Sequence, residues 1–423
     1  MTILLKNCNI IDVKNKTILK NYFILIENNI ISEVSNDVKL VEKNFGNYEK
    51  VYDLNNNYLI PGIINMHQHY LYKKTFGSMN KQLKLPIPIL AIRAMRNAIS
   101  ELREGITTAR IVGSLYNIDL SLKYLFERNV FVGPTLFISG QALGITGSHV
   151  KFLTQCGDGE RDFRKLTRER VQYVDWVKVF ATHEPLPAPI FARPEMSLDE
   201  LKVVTEEAHN AGKRVAAHAK GEIPLKNVIE AGVDTIEHGI HLTKNLAIEM
   251  ARKNISLIPT LTAVTEWQDP AYNRGADEVK LHQLDIKPSQ RSFKNAVEAG
   301  VRIGMGLDSL GNLSKEVLLM KEISNFSNLD ILEICTLNGA RILGVDKSIG
   351  SIEKGKIADI VVLNKNPEQD LSNIKNINFI IKKGKVYTPD QINLLIRHED
   401  SEYNTYFEDL FDIDKKNKTI LCD

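Results

Sequence analysis

From Pro61 onward the sequence repeats one unit, a short strand-like apolar run followed by a helix-length amphipathic segment. Parallel strands need a crossover long enough to hold a helix, so this alternation predicts a parallel α/β fold. The strand-like runs are Ile60–Asn65, Thr107–Val112, Val130–Ser139, Trp176–Ala181, Arg214–Ala219, Thr235–Glu237, Ser256–Leu261 and Arg302–Leu307. Eight of them predict a closed, TIM-like (β/α)8 barrel over residues 59–345. Helix signals fall between the runs. Ser197-Leu198-Asp199-Glu200 is a capping box, Leu198, Leu201 and Val204 make an apolar stripe, and Gly212 is placed to end that helix. Leu90–Glu104 carries Ala94, Met95, Ala98, Ile99 and Leu102 at helical spacing and stops at Gly105, a stripe suited to core packing.

The chain ends have a different character. Residues 1–58 read as short strands, Ile3–Ile11, Tyr22–Glu27 and Ile30–Val34, with Asn- and Lys-rich connections. After a helix over Asp330–Leu343, residues 346–390 return to short strands at Ile349–Ile352, Ile360–Leu363, Phe379–Lys382 and Lys385–Tyr387. Neither end holds enough strands for its own core, which predicts one small β-sandwich built from both. The tail, 391–423, mixes acidic residues with Tyr403, Tyr406, Phe407, Leu410 and Phe411.

A barrel with a small companion domain accounts for 423 residues, and 43% hydrophobic with 25% charged residues is the balance of a globular protein. The net charge of +2 is spread along the chain, which argues against nucleic acid or a membrane as partner and leaves a small-molecule substrate. Cys8, Cys156, Cys335 and Cys422 are far apart and form no Cys-x-x-Cys pair, as expected of a reducing compartment. With no signal-peptide pattern at Met1–Lys6 and no 18-residue apolar stretch, the expected location is cytoplasmic.

Chemistry-bearing residues gather at the C-terminal ends of the strand-like runs, where barrels of this kind place their active sites. The first run ends in His67-Gln68-His69, and residues i and i+2 of a strand leave from one face, so two imidazoles could grip one ion. Lys178 sits inside the apolar run Val177-Lys178-Val179. There it either pairs with an acid, snorkels to the strand end, or loses its proton. A neutral amine can take up carbon dioxide as a carbamate, an anionic ligand able to bridge two divalent ions. His218, His238 and Asp308 close later runs, adding imidazole and carboxylate donors.

With these residues in place, the chain resembles the amidohydrolase superfamily. Within it the chain is similar to the binuclear branch with a carboxylated lysine, especially the Xaa-Pro and Xaa-Arg dipeptidase-like, imidazolonepropionase-related amidohydrolases. The resemblance runs from about Leu4 to Thr388. It is carried by Pro61–His69, Gly105-Ile106-Thr107-Thr108, Thr146-Gly147-Ser148-His149, Ala208-His209, Ala217-His218-Ala219, Gly232–Gly239, Pro259-Thr260-Leu261 and Gly350–Asp359. It implies His67, His69 and Asp308 on one metal ion, His218 and His238 on a second, and carboxylated Lys178 with a hydroxide between them, zinc being the usual occupant. Asp308 would pass a proton from the attacking water to the leaving nitrogen, and His149 would approach the substrate.

The reaction implied is hydrolysis of a C–N amide bond of an amino-acid derivative, a dipeptide or N-acyl amino acid. The alternative is a cyclic amide, imidazolonepropionase-like or hydantoin-type. Deaminase branches typically use one metal and lack the strand-four lysine, so Lys178 speaks against deamination. Two stretches depart from the family: Ala181-Thr182-His183-Glu184-Pro185 replaces a frequent Ser-Gly-Gly loop, and Lys220 replaces an aromatic residue. His183 and Lys220 are therefore candidates for substrate contact, Lys220 either meeting a substrate carboxylate or standing as a solvated loop charge, and Tyr70, Tyr72, Arg110 and Arg193 are further candidates at the pocket rim, where substrate would bind. Homo-oligomers are common in such families, although no residue here specifies one.

Overall fold

The structure, a computed structural model, describes residues 2–37, 48–72, 85–148, 150, 152–183, 193–266, 276–309 and 311–396. The chain begins with β1 (Thr2–Asp12), β2 (Thr17–Glu27), β3 (Ile30–Ser35), β4 (Lys50–Asp53) and β5 (Tyr58–Pro61). There follow β6 (Ile63–Gln68), β7 (Ile106–Ile111), β8 (Thr135–Phe137), β9 (Ala142–Gly144), β10 (Thr154–Cys156) and β11 (Trp176–Phe180). A short ribbon, β12 (Thr182–His183) with β13 (Arg193–Pro194), precedes β14 (Arg214–Ala219), β15 (Thr235–His238) and β16 (Ser256–Ile258). The last strands are β17 (Ile360–Leu363), β18 (Ile377–Lys382) and β19 (Lys385–Tyr387).

The expected strand Ile60–Asn65 is two strands. Gly62 divides it, its N–H bonded to the Asp359 carbonyl at 2.8 Å, and a Cβ there would lie 2.1 Å from Thr107 Oγ1. The chain changes sheets at this point. β5 belongs to a sheet of eight strands ordered β19-β18-β17-β5-β1-β2-β3, with β4 also paired to β1. β6 opens a parallel sheet, β6-β7-β8.

A second parallel sheet, β10-β9-β11-β14-β15-β16, carries the rest of the barrel-like layer, and the fold is TIM-barrel-like α/β. Its ladders do not close on themselves as the eight-strand expectation required. Segment 302–307 forms only the single bridge Leu257↔Ile303. It still lies between β16 and β6: Gly304 N–H donates to Leu257 O (3.0 Å), Met66 N–H to Met305 O (2.8 Å) and Asp308 N–H to His67 O (2.9 Å). Gly304 and Gly306 explain both facts. A Cβ on Gly306 would be 2.5 Å from Ile258 and 2.8 Å from the His67 side chain, so glycine permits the close approach while weakening regular strand.

Other expectations shift in smaller ways. Val130–Ser139 contracts to Thr135–Phe137, because Val130 and Phe131 are exposed, and Ile349–Ile352 is not a strand. The capping box at Ser197 forms with both bonds, and Gly212 ends the helix at φ +69. The helix expected over Asp330–Leu343 starts at Asn328 behind a second capping box and contains a π-helical turn, Ile334–Asn338.

The chain ends form one hydrogen-bonded sheet; a sandwich of two stacked sheets is not what the ladders describe. They meet where β17 runs antiparallel to β5, Ile360 opposite Pro61 and Leu363 opposite Tyr58. β1 serves β4 with its first half and β5 with its second, its pairing to β2 shifting register around Cys8. Ile3, Leu5, Ile10, Ile24, Ile26, Leu59, Val362 and Ile381 fill the core of this sheet. A buried ion pair, Lys382 Nζ to Asp359 Oδ2 at 2.6 Å, also reaches Thr135 Oγ1 of β8 at 2.8 Å and ties the sheet to the barrel-like layer.

The turn between β18 and β19 packs tightly on the turn between β2 and β3. Gly384 has φ +74, and a Cβ there would sit 2.0 Å from the Asn28 carbonyl oxygen. Gly384→Ala should lower unfolding free energy by about 2–4 kcal/mol, combining backbone strain with overpacking. Urea denaturation measures it, and a parent-like midpoint would show that the two chain ends do not meet as described.

Candidate metal centre

His67, the fifth residue of β6, and His69, just beyond its end, stand with Asp308 so that one donor atom of each lies within 4.8 Å of the others. Nε2 of each imidazole is 3.8 Å from Asp308 Oδ1. Their other nitrogens are engaged behind: His67 Nδ1 with Glu237 Oε2 at 2.7 Å, His69 Nδ1 with the Gly113 carbonyl at 3.0 Å. A neutral imidazole donates from one nitrogen and offers a lone pair from the other, so these bonds turn Nε2 toward Asp308 as an open donor. Burial lowers the pKa of both rings, His69 to about 4, which keeps them neutral and ligand-ready. Tyr72 stacks on His69 with ring centroids 5.8 Å apart.

The other expected donors stand beside this triad. His238 lies 5.0 Å from His67 and 4.7 Å from His218, centroid to centroid. It holds φ +66, and its Nδ1 is 2.6 Å from the hydroxyl of Thr260, itself at φ +47. Burial, then the His218 and His67 rings, push its pKa well down. Lys178 is fully buried on β11, 5.0 Å above the Phe180 ring, and its ammonium nitrogen has no hydrogen-bond partner among the described residues. Burial lowers its pKa to about 8; Glu237 pulls it upward and Arg110 downward. An amine so placed, among imidazoles and a carboxylate, fits a centre built for divalent metal.

Glu237 is the functional residue that sequence reasoning missed. Its Oε1 accepts from Arg110 Nη2 (2.7 Å) and Thr235 Oγ1 (2.6 Å), while Oε2 meets His67. Burial would raise this carboxyl, but Arg110 and His67 hold it at about 2. A signal existed: Arg110 and Glu237 each put a bare charge into an apolar run, and two buried opposite charges ask to be paired. Arg110, expected at the pocket rim, is instead in the floor. Its donors go to Met66 O, Thr235 and Glu237, and its guanidinium lies 4.5 Å over Trp176.

Tyr70 is likewise no rim residue; it is buried and donates its hydroxyl to Glu101 Oε2 at 2.6 Å. Lys220 reaches Asp285 at 3.8 Å and bears on His238, and His183 stands 3.8 Å from Glu195. Arg193 is exposed on β13. His149 lies outside the described residues, as does most of the tail.

Two outcomes follow from the buried charges. Glu237→Gln strips the anion from Arg110 and should cost about 3–5 kcal/mol of stability, read by urea denaturation. Burial raises Glu101 from 4.5 to about 7, against the donors of Tyr70, Gln68 and Asn65. The folded chain therefore binds more protons than the unfolded one between those values, so this group adds stability as pH falls from about 7 to about 4.5 and withdraws it as pH rises. In Glu101→Gln, compared on chelator-treated protein, that pH-dependent gain should shrink by on the order of 1–3 kcal/mol. Equal slopes in the two proteins would contradict the assignment.

Comparison with known proteins places this geometry. The sequence matches the Amidohydrolase family over residues 58–388. Ochratoxinase of Aspergillus niger is 23% identical, the match covering 87% of this chain and 83% of that protein. A 5-methylthioadenosine/S-adenosylhomocysteine deaminase of Halothermothrix orenii is 24% identical over 95% of this chain and 98% of its own. The crystal structure of a Xaa-Pro dipeptidase with methionine bound in its active site superposes with a TM-score of 0.80 and 26% identity, covering 92% of this chain and 100% of that one. The chain belongs to the amidohydrolase family and is a metal-dependent hydrolase acting on C–N bonds.

Proposed function

We propose that the chain is a binuclear amidohydrolase that cleaves the amide bond of an amino-acid derivative, a dipeptide or an N-acyl amino acid. The observation that carries this reading is Lys178, a fully buried amine without a hydrogen-bond partner among the described residues, beside the His67–His69–Asp308 triad. A structural lysine in this position would be expected to find an acid. A lysine that reacts with carbon dioxide, forming an N–C bond and releasing a proton, becomes an anion that a pair of metal ions would satisfy. His67, His69 and Asp308 would hold one ion, His218 and His238 the other, with zinc the expected metal.

When bound, two divalent ions supply an acidified water and a Lewis acid for the scissile carbonyl. The residues do the rest. Asp308 keeps one face open, its side chain 19% exposed, while Ser309 Oγ donates to its Oδ1 at 3.1 Å. From there it would take the proton of the attacking water and give it to the leaving nitrogen. Glu237 and Gly113 fix the two imidazoles so that their Nε2 atoms do not wander. Tyr72, His183 and Lys220 would border the substrate. The dipeptide class is supported by the Xaa-Pro dipeptidase among the similar structures.

Protein purified without chelators should carry about two equivalents of transition metal per chain, and less than one would count against a paired centre. Lys178→Ala should lose activity by about 100-fold or more, with partial return on adding short carboxylic acids that replace the carbamate. An undiminished rate removes Lys178 from the chemistry. Zinc-loaded enzyme screened on dipeptides, N-acyl amino acids and cyclic ureides should turn over the first two classes; turnover of the cyclic compounds alone would overturn the substrate assignment.

A further inference from the structure

Four buried polar side chains beside the triad, Asn65, Gln68, Tyr70 and Glu101, have no part in the chemistry above. Asn65 Oδ1 accepts from the N–H of His67 (3.2 Å) and of Leu307 (3.1 Å). Gln68 Oε1 accepts from the N–H of His69 (2.7 Å) and of Ser309 (2.8 Å). Each amide therefore joins one of the two histidines to a neighbour of Asp308. Since the Asp308 N–H bonds the His67 carbonyl, three consecutive N–H groups of the 307–309 turn are held by the 65–68 stretch. Asp308 and Ser309 stand at φ +44 and +61, in the left-handed region that residues with side chains adopt uncommonly.

A carboxamide has a donor end and an acceptor end, and its own chain does not choose between them. Glu101 chooses. Its Oε1 accepts from Asn65 Nδ2 at 2.8 Å and from Gln68 Nε2, and its Oε2 from Tyr70. A carboxyl oxygen accepts whether or not its partner oxygen carries a proton, so Oε1 draws both amino ends toward the helix Ile87–Arg103 and leaves both amide oxygens for four backbone N–H groups. Strand alternation would send Asn65 and Gln68 to opposite faces; the register of β6 on β7 shifts between them, which lets both reach one carboxyl.

We infer that Glu101 is a positioning residue of the metal centre: through the Asn65 and Gln68 amides it locks the strand carrying His67 and His69 to the turn carrying Asp308. The inference rests on the reading of those three residues as metal ligands. Losing the carboxyl frees both amides to turn, which sets donors against donors and releases the Asp308 turn.

The test compares full-length parent, Glu101→Leu, Glu101→Gln, Gln68→Met and Tyr70→Phe, loaded with zinc and then with cobalt. The readouts are the rate of metal loss to a chelator, the cobalt absorption spectrum, and kcat and KM. Glu101→Leu should lose metal about tenfold faster or more, shift the cobalt bands, and lower kcat more than it changes KM. Glu101→Gln should stay within about threefold of the parent, because its oxygen can accept from both amides while its amino group donates to Tyr70. Tyr70→Phe should retain metal like the parent, since both amide bonds survive. Should Glu101→Leu fail to fold, Gln68→Met carries the same expectation of faster loss. Parent-like metal retention and spectrum in a folded Glu101→Leu or Gln68→Met would overturn the inference. So would a Glu101→Gln or Tyr70→Phe that sheds metal as Glu101→Leu does. A parent that takes up no metal overturns the reading beneath it as well, and so is told apart.

Discussion

A carboxylate placed at Glu237 and left bare would cost several kcal/mol in desolvation, and so would the guanidinium of Arg110. Each is tolerable because the other is there, 2.7 Å away, with Thr235, Met66 and His67 completing their hydrogen bonds. This pair sits where β7 and β15 come within reach across the barrel-like layer, and it makes one nitrogen of His67 a donor and the other a free lone pair. The orientation of the first candidate ligand thus follows from the buried charge balance behind it.

The same economy governs the closure of the layer. The segment leading to Asp308 approaches His67 more closely than side chains would allow, and Gly304 and Gly306 make room for it. That closeness brings Asp308 to within 3.8 Å of two imidazoles, and it also prevents residues 302–307 from pairing as an ordinary strand. Irregular backbone at this point is the consequence of bringing a carboxylate to the metal position.

Much of this was legible in the sequence because period and punctuation are local. The run Arg214–Ala219 is a strand with the predicted bounds, and Ser197 caps its helix as predicted, since both depend on a few adjacent residues. What failed depended on partners far away. Gly62 breaks a run that reads as one strand because Asp359 and Thr107, distant in sequence, occupy its surroundings. Arg110 and Tyr70 were expected at the rim, yet Glu237 and Glu101 claim them for the interior. The ligand candidates His67, His69 and Asp308 stood out by their places at strand ends and were grouped on one ion by the family resemblance; the fold brings one donor atom of each within 4.8 Å of the others.

Floor and mouth of the site are built on different terms. In the floor, charges are wholly buried and bonded at 2.7–2.9 Å, so exchanging any one of them disturbs the fold and the ligands together. At the mouth, Lys220 and His183 are half-buried and stand 3.8 Å from Asp285 and Glu195. Lys220 and His183 belong to neither the Arg110–Glu237 pair nor its hydrogen bonds, so a change at either leaves the charges that orient His67 in place.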